Sequence, residues 1–109
     1  MAYYMVQAAY TAEAIAAMVK KPEDRAAAIA PVVEKLGGKL EGFWFCFGDY
    51  DVVGISQLPD NVSAAAFAFA VSQGGKLRAV KTTPLMTSGE AVKALKKAAG
   101  AGYRAPGAK

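Results

Sequence analysis

The feature that most constrains this chain is a hairpin signature near its middle. Phe43, Phe45 and Phe47 alternate with Trp44 and Cys46; Gly48-Asp49 follows; Tyr50 to Gln57 then returns with Val52, Val53 and Ile55. Apolar residues at period two on both sides of a Gly-Asp step specify two antiparallel strands joined by a tight turn. A two-residue turn sets the register: Phe47 opposite Tyr50, Cys46 opposite Asp51, Phe45 opposite Val52, Trp44 opposite Val53. Slipping it by one residue would turn every side chain to the other face. The hairpin therefore commits the chain to a sheet, and one whose two faces are both apolar.

The flanking segments supply the rest. Tyr3 to Tyr10 is aromatic and apolar on both alternating faces and reads as a buried strand. Thr11 suits a helix cap and Glu13 its first turn, so Ala12 to Val19 is predicted as a short helix. Lys20-Lys21-Pro22 interrupts it. Pro22 fits the first position of a second helix, with Glu23 and Asp24 in the opening turn. Ile29, Val32, Val33 and Leu36 give that helix a core-facing stripe. Pro31 removes the amide bond to Ala27, which predicts a kink, and Gly37-Gly38 supplies the stop. After the hairpin, Leu58-Pro59-Asp60 ends the strand and caps a helix over Asn61 to Gln73. That helix carries Val62, Ala66 and Phe69 on one side, Phe67 and Val71 on another. Gly74-Gly75 ends it, and Lys76 to Leu85 is a fourth strand. Thr87-Ser88-Gly89-Glu90 is a capping box. It opens a last helix with Val92 and Leu95 expected inward and Lys93, Lys96 and Lys97 outward.

Residues 1–99 thus form one domain, and 100–109, made of Gly, Ala, Pro, Tyr and basic groups, read as a flexible basic tail. The order β-α-β-β-α-β plus a C-terminal helix is the ferredoxin-like α+β arrangement, with antiparallel sheet order 4-1-3-2. Helices cover one face of such a sheet. The other face is apolar as well and implies a homo-oligomer, a homodimer or larger, in which sheets pair face to face. Phe67 and Val71 are expected to extend that contact. A face-to-face interface of this kind should exceed ~1,200 Å2.

Composition narrows the chemistry. Of 109 residues none is histidine and one is cysteine. That excludes His-based triads, His–metal sites, zinc fingers and intrachain disulfides, so no metal and no cofactor are expected. A lone Cys46 suits a reducing compartment and a cytoplasmic location. It lies in an apolar strand opposite Asp51, which favours packing over nucleophilic use. No apolar run approaches the ~18 residues of a membrane helix, and no basic-then-apolar leader is visible. The net charge of +4 is uneven: residues 1–51 hold five basic and seven acidic groups, residues 52–109 eight basic and two acidic. A solvated basic helix and tail accounts for this. The third strand lacks the K/R-G-F/Y run of RNA-recognition domains, so nucleic acid is not an expected partner. There is no C-x-x-C of metal chaperones and no phosphate-loop glycine pattern.

One polar constellation remains. In a 4-1-3-2 sheet the end of strand one, the start of strand three and the start of the second helix meet at one edge. Tyr10, Thr11, Arg25, Tyr50 and Asp51 gather there. Asp51 beside Arg25 is either a pin tying the hairpin to the helix or a base, and the pin is favoured.

Phe47-Gly48-Asp49-Tyr50-Asp51-Val52-Val53 resembles the hairpin of the GYD-domain family, whose Gly, Tyr and Asp are matched by Gly48, Tyr50 and Asp51. Pro22-Glu23-Asp24-Arg25, Leu36 to Phe43, Leu58-Pro59-Asp60 and Thr82-Thr83-Pro84-Leu85 match in order, so the resemblance runs from about Tyr4 to Ala98. It implies a branch of the dimeric α/β-barrel group, with ferredoxin-like subunits pairing through their sheets. The catalytic histidines of some relatives in that group have no counterpart here.

The resulting expectation is a small cytoplasmic homo-oligomer that binds a small, partly aromatic or apolar ligand without metal. Tyr10, Arg25, Trp44, Tyr50 and Asp51 are the candidate ligand-binding residues. The alternatives are a cofactor-independent enzyme with Asp51 as base and a purely structural self-assembly module.

Overall fold

A computed structural model describes residues 1–107; Ala108 and Lys109, the end of the expected tail, lie outside the described residues. The elements are β1 (Ala2–Tyr10), α1 (Ala12–Lys20), α2 (Arg25–Lys35), β2 (Lys39–Phe45), β3 (Val52–Leu58), α3 (Asn61–Ser72), β4 (Leu77–Leu85) and α4 (Ser88–Ala99). The four strands form one antiparallel sheet in the order β2-β3-β1-β4, the expected order read from the other edge.

Pleat and register divide the side chains between two faces. On β1 and β3, Tyr4, Ala8, Val52 and Leu58 turn toward the helices and are buried. Val33 of α2 and Ala64 and Phe67 of α3 meet Tyr4 and Leu58 in one core cluster. Ala14 of α1 meets Ala8, Tyr10 and Val52 in a second. Two close approaches hold the helices on the sheet. Gly38, after α2, passes so near β3 that a Cβ there would lie 2.1 Å from the Gln57 carbonyl oxygen. The Tyr4 hydroxyl donates to Asn61 Oδ1 of α3 at 2.8 Å. The opposite face carries Met5, Val53 and Ile55, partly exposed, and Trp44, exposed, and among the described residues no helix packs on it. Trp44 lies flat over Gly42: a Cβ there would sit 2.3 Å from the indole Cη2. Among the described residues no helix is long and apolar enough to cross a membrane.

Several local expectations are corrected. Helix α2 begins at Arg25, not Pro22, because Asp24 caps it: its Oδ1 accepts the amides of Ala26 and Ala27. The hairpin keeps the predicted register at Trp44–Val53 and Phe45–Val52, but its ladder stops there. Residues 46–51 form a wider loop closed by one backbone bond, from the Cys46 amide to the Asp51 carbonyl. Asp51 is drawn to β1 instead, and Cys46 is exposed rather than packed. In α3, Phe67 and Val71 face the chain's own sheet, so they are not free to extend an oligomer contact; Val62 and Phe69 are the exposed apolar pair.

Helix α4 departs most. Its capping box forms as expected, through Thr87 and Glu90, yet none of its residues is buried, and Val92 and Leu95 are exposed rather than inward. The Cα radius of gyration is 17.7 Å, against about 13 Å for a compact domain of this length. The helix projects from the body, with residues 100–107 exposed beyond it.

Candidate functional site

Between the two core clusters, where α2 and α3 cross the sheet, the packing leaves a cavity of about 420 Å3. Its existence follows from small residues at the crossing. Gly54 lies in the middle of β3 and presents no side chain, and Ala8, Ala28 and Ala70 line the walls with single methyl groups. Larger apolar groups, Ile29 and Val32 from α2 and Phe43 from β2, close it around these. A strand-interior glycine of this kind leaves room for a bulge, another backbone or a ligand to come close. Ser56 lines the floor; it is the polar residue that the core buries, at 4% exposure.

The polar mouth is at the β1/α2 end. Arg25, the first residue of α2, reaches over it beside Tyr10, and Lys76, just before β4, stands on the same rim. Arg25 Nη1 pairs with Glu23 Oε1 at 2.6 Å, and its side chain keeps 29% exposure. This pairing holds the guanidinium above its ordinary range; partial burial works against that, and the neighbouring Tyr10 hydroxyl adds to it. Lys76 pairs with Glu13 of α1, and both lie at the surface. The Lys76 pair holds the Glu13 carboxyl below its usual range.

The sequence-predicted site residues separate into three places. Tyr10 and Arg25 come together at the cavity mouth. Asp51 lies next to Tyr10 but faces the backbone: its Oδ2 accepts the Tyr10 amide at 2.8 Å, while its own amide donates to the Ala8 carbonyl. Val52 is the last β3 residue paired with β1, so the carboxylate supplies the acceptor that a longer β3 would have offered Tyr10. Arg25 pairs with Glu23 and not with Asp51, so the carboxylate joins the hairpin loop to β1 rather than to the helix. Tyr50 is half-buried in the same loop, its carbonyl accepting from Cys46 Sγ at 3.3 Å. Trp44 is on the uncovered sheet face, away from the cavity. Thr11 caps α1 through the Ala14 amide. Ser56 and Lys76 were not singled out from the sequence as site residues, and Ile29 and Val32 of the α2 wall were read only as core. Gly54, an isolated glycine within a strand, was the signal that could have led to them.

Chemically, the cavity offers an apolar body, one buried hydroxyl, and two cations with a phenol at its mouth. Among the described residues no group of three or more His, Cys, Asp or Glu is placed to hold a metal ion.

Comparison with known proteins adds three findings. No curated protein matches the chain. Among solved structures, one described as the crystal structure of FFRP-DM1 aligns with a TM-score of 0.48 at 11% identity, covering 79% of this chain and 100% of that one. The family model of the GYD domain matches residues 4–95, which takes in β1 from Tyr4 onward, the other three strands, the cavity and the hairpin, and the chain therefore belongs to the GYD-domain family.

Proposed function

We propose that this domain is a homo-oligomeric binding module that takes a small, partly aromatic or apolar molecule, without metal, into the cavity between the sheet and helices α2 and α3. The observation that carries the reading is the cavity itself. At about 420 Å3 it falls in the range of small-molecule pockets, and its walls are apolar with a few convergent polar groups. A core of this size ordinarily closes such a space, since each missing contact costs packing energy. Of the five candidate residues, Tyr10 and Arg25 fit this role directly. Tyr50 and Asp51 support it from the adjoining loop, Asp51 by fixing the end of β1 that carries Tyr10. Trp44 fits the oligomer face instead.

The test uses Gly54. A Cβ there would meet Phe43 Cδ2 at 3.5 Å, an ordinary contact, so the position accepts a side chain that grows into the cavity. Protein purified under native conditions should release a small molecule detectable by mass spectrometry, and Gly54→Val should lose it while melting at the same temperature or higher. Equal release from both proteins would reject the cavity as the site.

A further inference from the structure

We propose that the cavity selects an organic anion, a carboxylate on an aromatic or aliphatic body, with the carboxylate at the Arg25–Tyr10–Lys76 mouth and the body running inward toward Ser56. This rests on the binding reading above and specifies its ligand.

Charge makes the first case. The charged residues lining the cavity are Arg25 and Lys76, both cations, and no Asp or Glu lines it. An apolar cavity whose formal charges are all positive and all at one end favours a molecule with a single negative end. The present partners of these cations make the second. Arg25 is paired with Glu23 and Lys76 with Glu13, and both carboxylates lie outside the cavity lining. The glutamate side chains are 55% and 76% exposed. Exposed pairs of this kind contribute little stability, so a ligand carboxylate displaces them at small cost. Each cation thus already takes a carboxylate as its partner, the group that a ligand's acid would offer in the glutamate's place. Arg25 uses Nη1 for Glu23. Its remaining planar donors match a two-oxygen acceptor better than a point charge, and the Tyr10 hydroxyl beside it is a further donor.

Geometry sets the length. The cavity follows α2 from Arg25 to Val32 and β3 from Val52 to Ser56. Seven residues of helix and four of strand rise about 10 Å and about 14 Å respectively. A ligand with its acid at Arg25 therefore reaches Ser56 when its body is about 10–14 Å long; the hydroxyl there meets a polar atom at the far end.

Calorimetric titration of the full chain, emptied of any co-purified molecule, tests this with matched pairs of that length: indole-3-butyrate against indole-3-butyramide, and decanoate against decanamide. Each acid is expected to bind at least tenfold more tightly than its amide. Arg25→Met should bring the acid down to the amide's affinity and leave the amide unchanged, and Lys76→Met should do the same more weakly. Glu23→Gln, which frees Arg25, should tighten the acid alone. Acid and amide binding equally, both lost in Gly54→Val, would overturn the anion inference and leave the cavity reading standing. No binding by either pair would overturn both.

Discussion

Asp51 is the residue at which sequence and structure ask the same question. A carboxylate at the start of a central strand needs partners, and it has one in the Tyr10 amide at 2.8 Å. Removing the acceptor leaves a half-buried amide unsatisfied, so Asp51→Ala should lower unfolding free energy by about 1–3 kcal/mol in urea titration. Asp51→Asn retains an oxygen at the same place and should lose less. A melt in which Asp51→Ala is as stable as the parent would restore Asp51 as a candidate base. The acceptor role was legible because an Asp in that register had few other uses. Its choice of Tyr10 over Arg25 was not, because it depends on where β3 stops pairing. The helix start shows the same limit. Pro22 and Asp24 each carry a valid start signal, and only the two amide bonds that Asp24 collects decide between them.

At the scale of elements, strand order followed from the succession of strands and helices and their crossovers, and register from the alternation of large apolar residues, which the hairpin pairs Trp44–Val53 and Phe45–Val52 obey. The faces of α3 were not legible in this way. Alanines fill the positions between its aromatic residues, so both stripes are apolar and the sheet alone selects Phe67 and Val71. The cavity was equally silent, since it is made by the absence of side chains at Gly54 and its alanine neighbours. Two expectations belong to helices. Helix α4 has 12 residues and no buried side chain, and a lone helix of that length is marginal in water. In protein dilute enough to be monomeric, amides of residues 91–99 should exchange with deuterium orders of magnitude faster than those of β1 and β3. Protection equal to that of the sheet would mean that α4 has a partner in the monomer. The second concerns acid. The amide of Ser63 holds Asp60 below the usual carboxylate range, and that of Thr87 does the same for Glu90. A depressed folded value means the stabilisation is complete above about pH 4 and disappears as pH falls through that lower value. Asp60→Ser keeps a neutral cap, so it should flatten the acid limb of melting temperature against pH; an unchanged limb would assign acid sensitivity elsewhere.

The whole molecule presents an apolar sheet face on one side and a projecting amphipathic helix at one end. Val53 lies on the uncovered face, whereas Phe45 turns to the helix side and stacks on Tyr10 with ring centroids 6.4 Å apart. Face-to-face assembly therefore makes opposite demands on the two positions. Under the proposed assembly, Val53→Asp should give a folded monomer in multi-angle light scattering. Phe45→Asp should lower the melting temperature and leave the subunit count of the folded fraction unchanged. If Val53→Asp keeps the parent's mass, assembly does not use this face.

Trp44, lying over Gly42, is the chain's single tryptophan. At 56% exposure in the isolated subunit its indole meets water, and it stands on the face that assembly would cover. The protein therefore carries its own optical gauge of that face. Its ultraviolet emission should move to longer wavelength and become accessible to iodide quenching as the sample is diluted through the assembly constant. Ligand entering on the other side of the sheet should leave the colour of that emission unchanged, so a single unlabelled sample can be followed for association and loading separately.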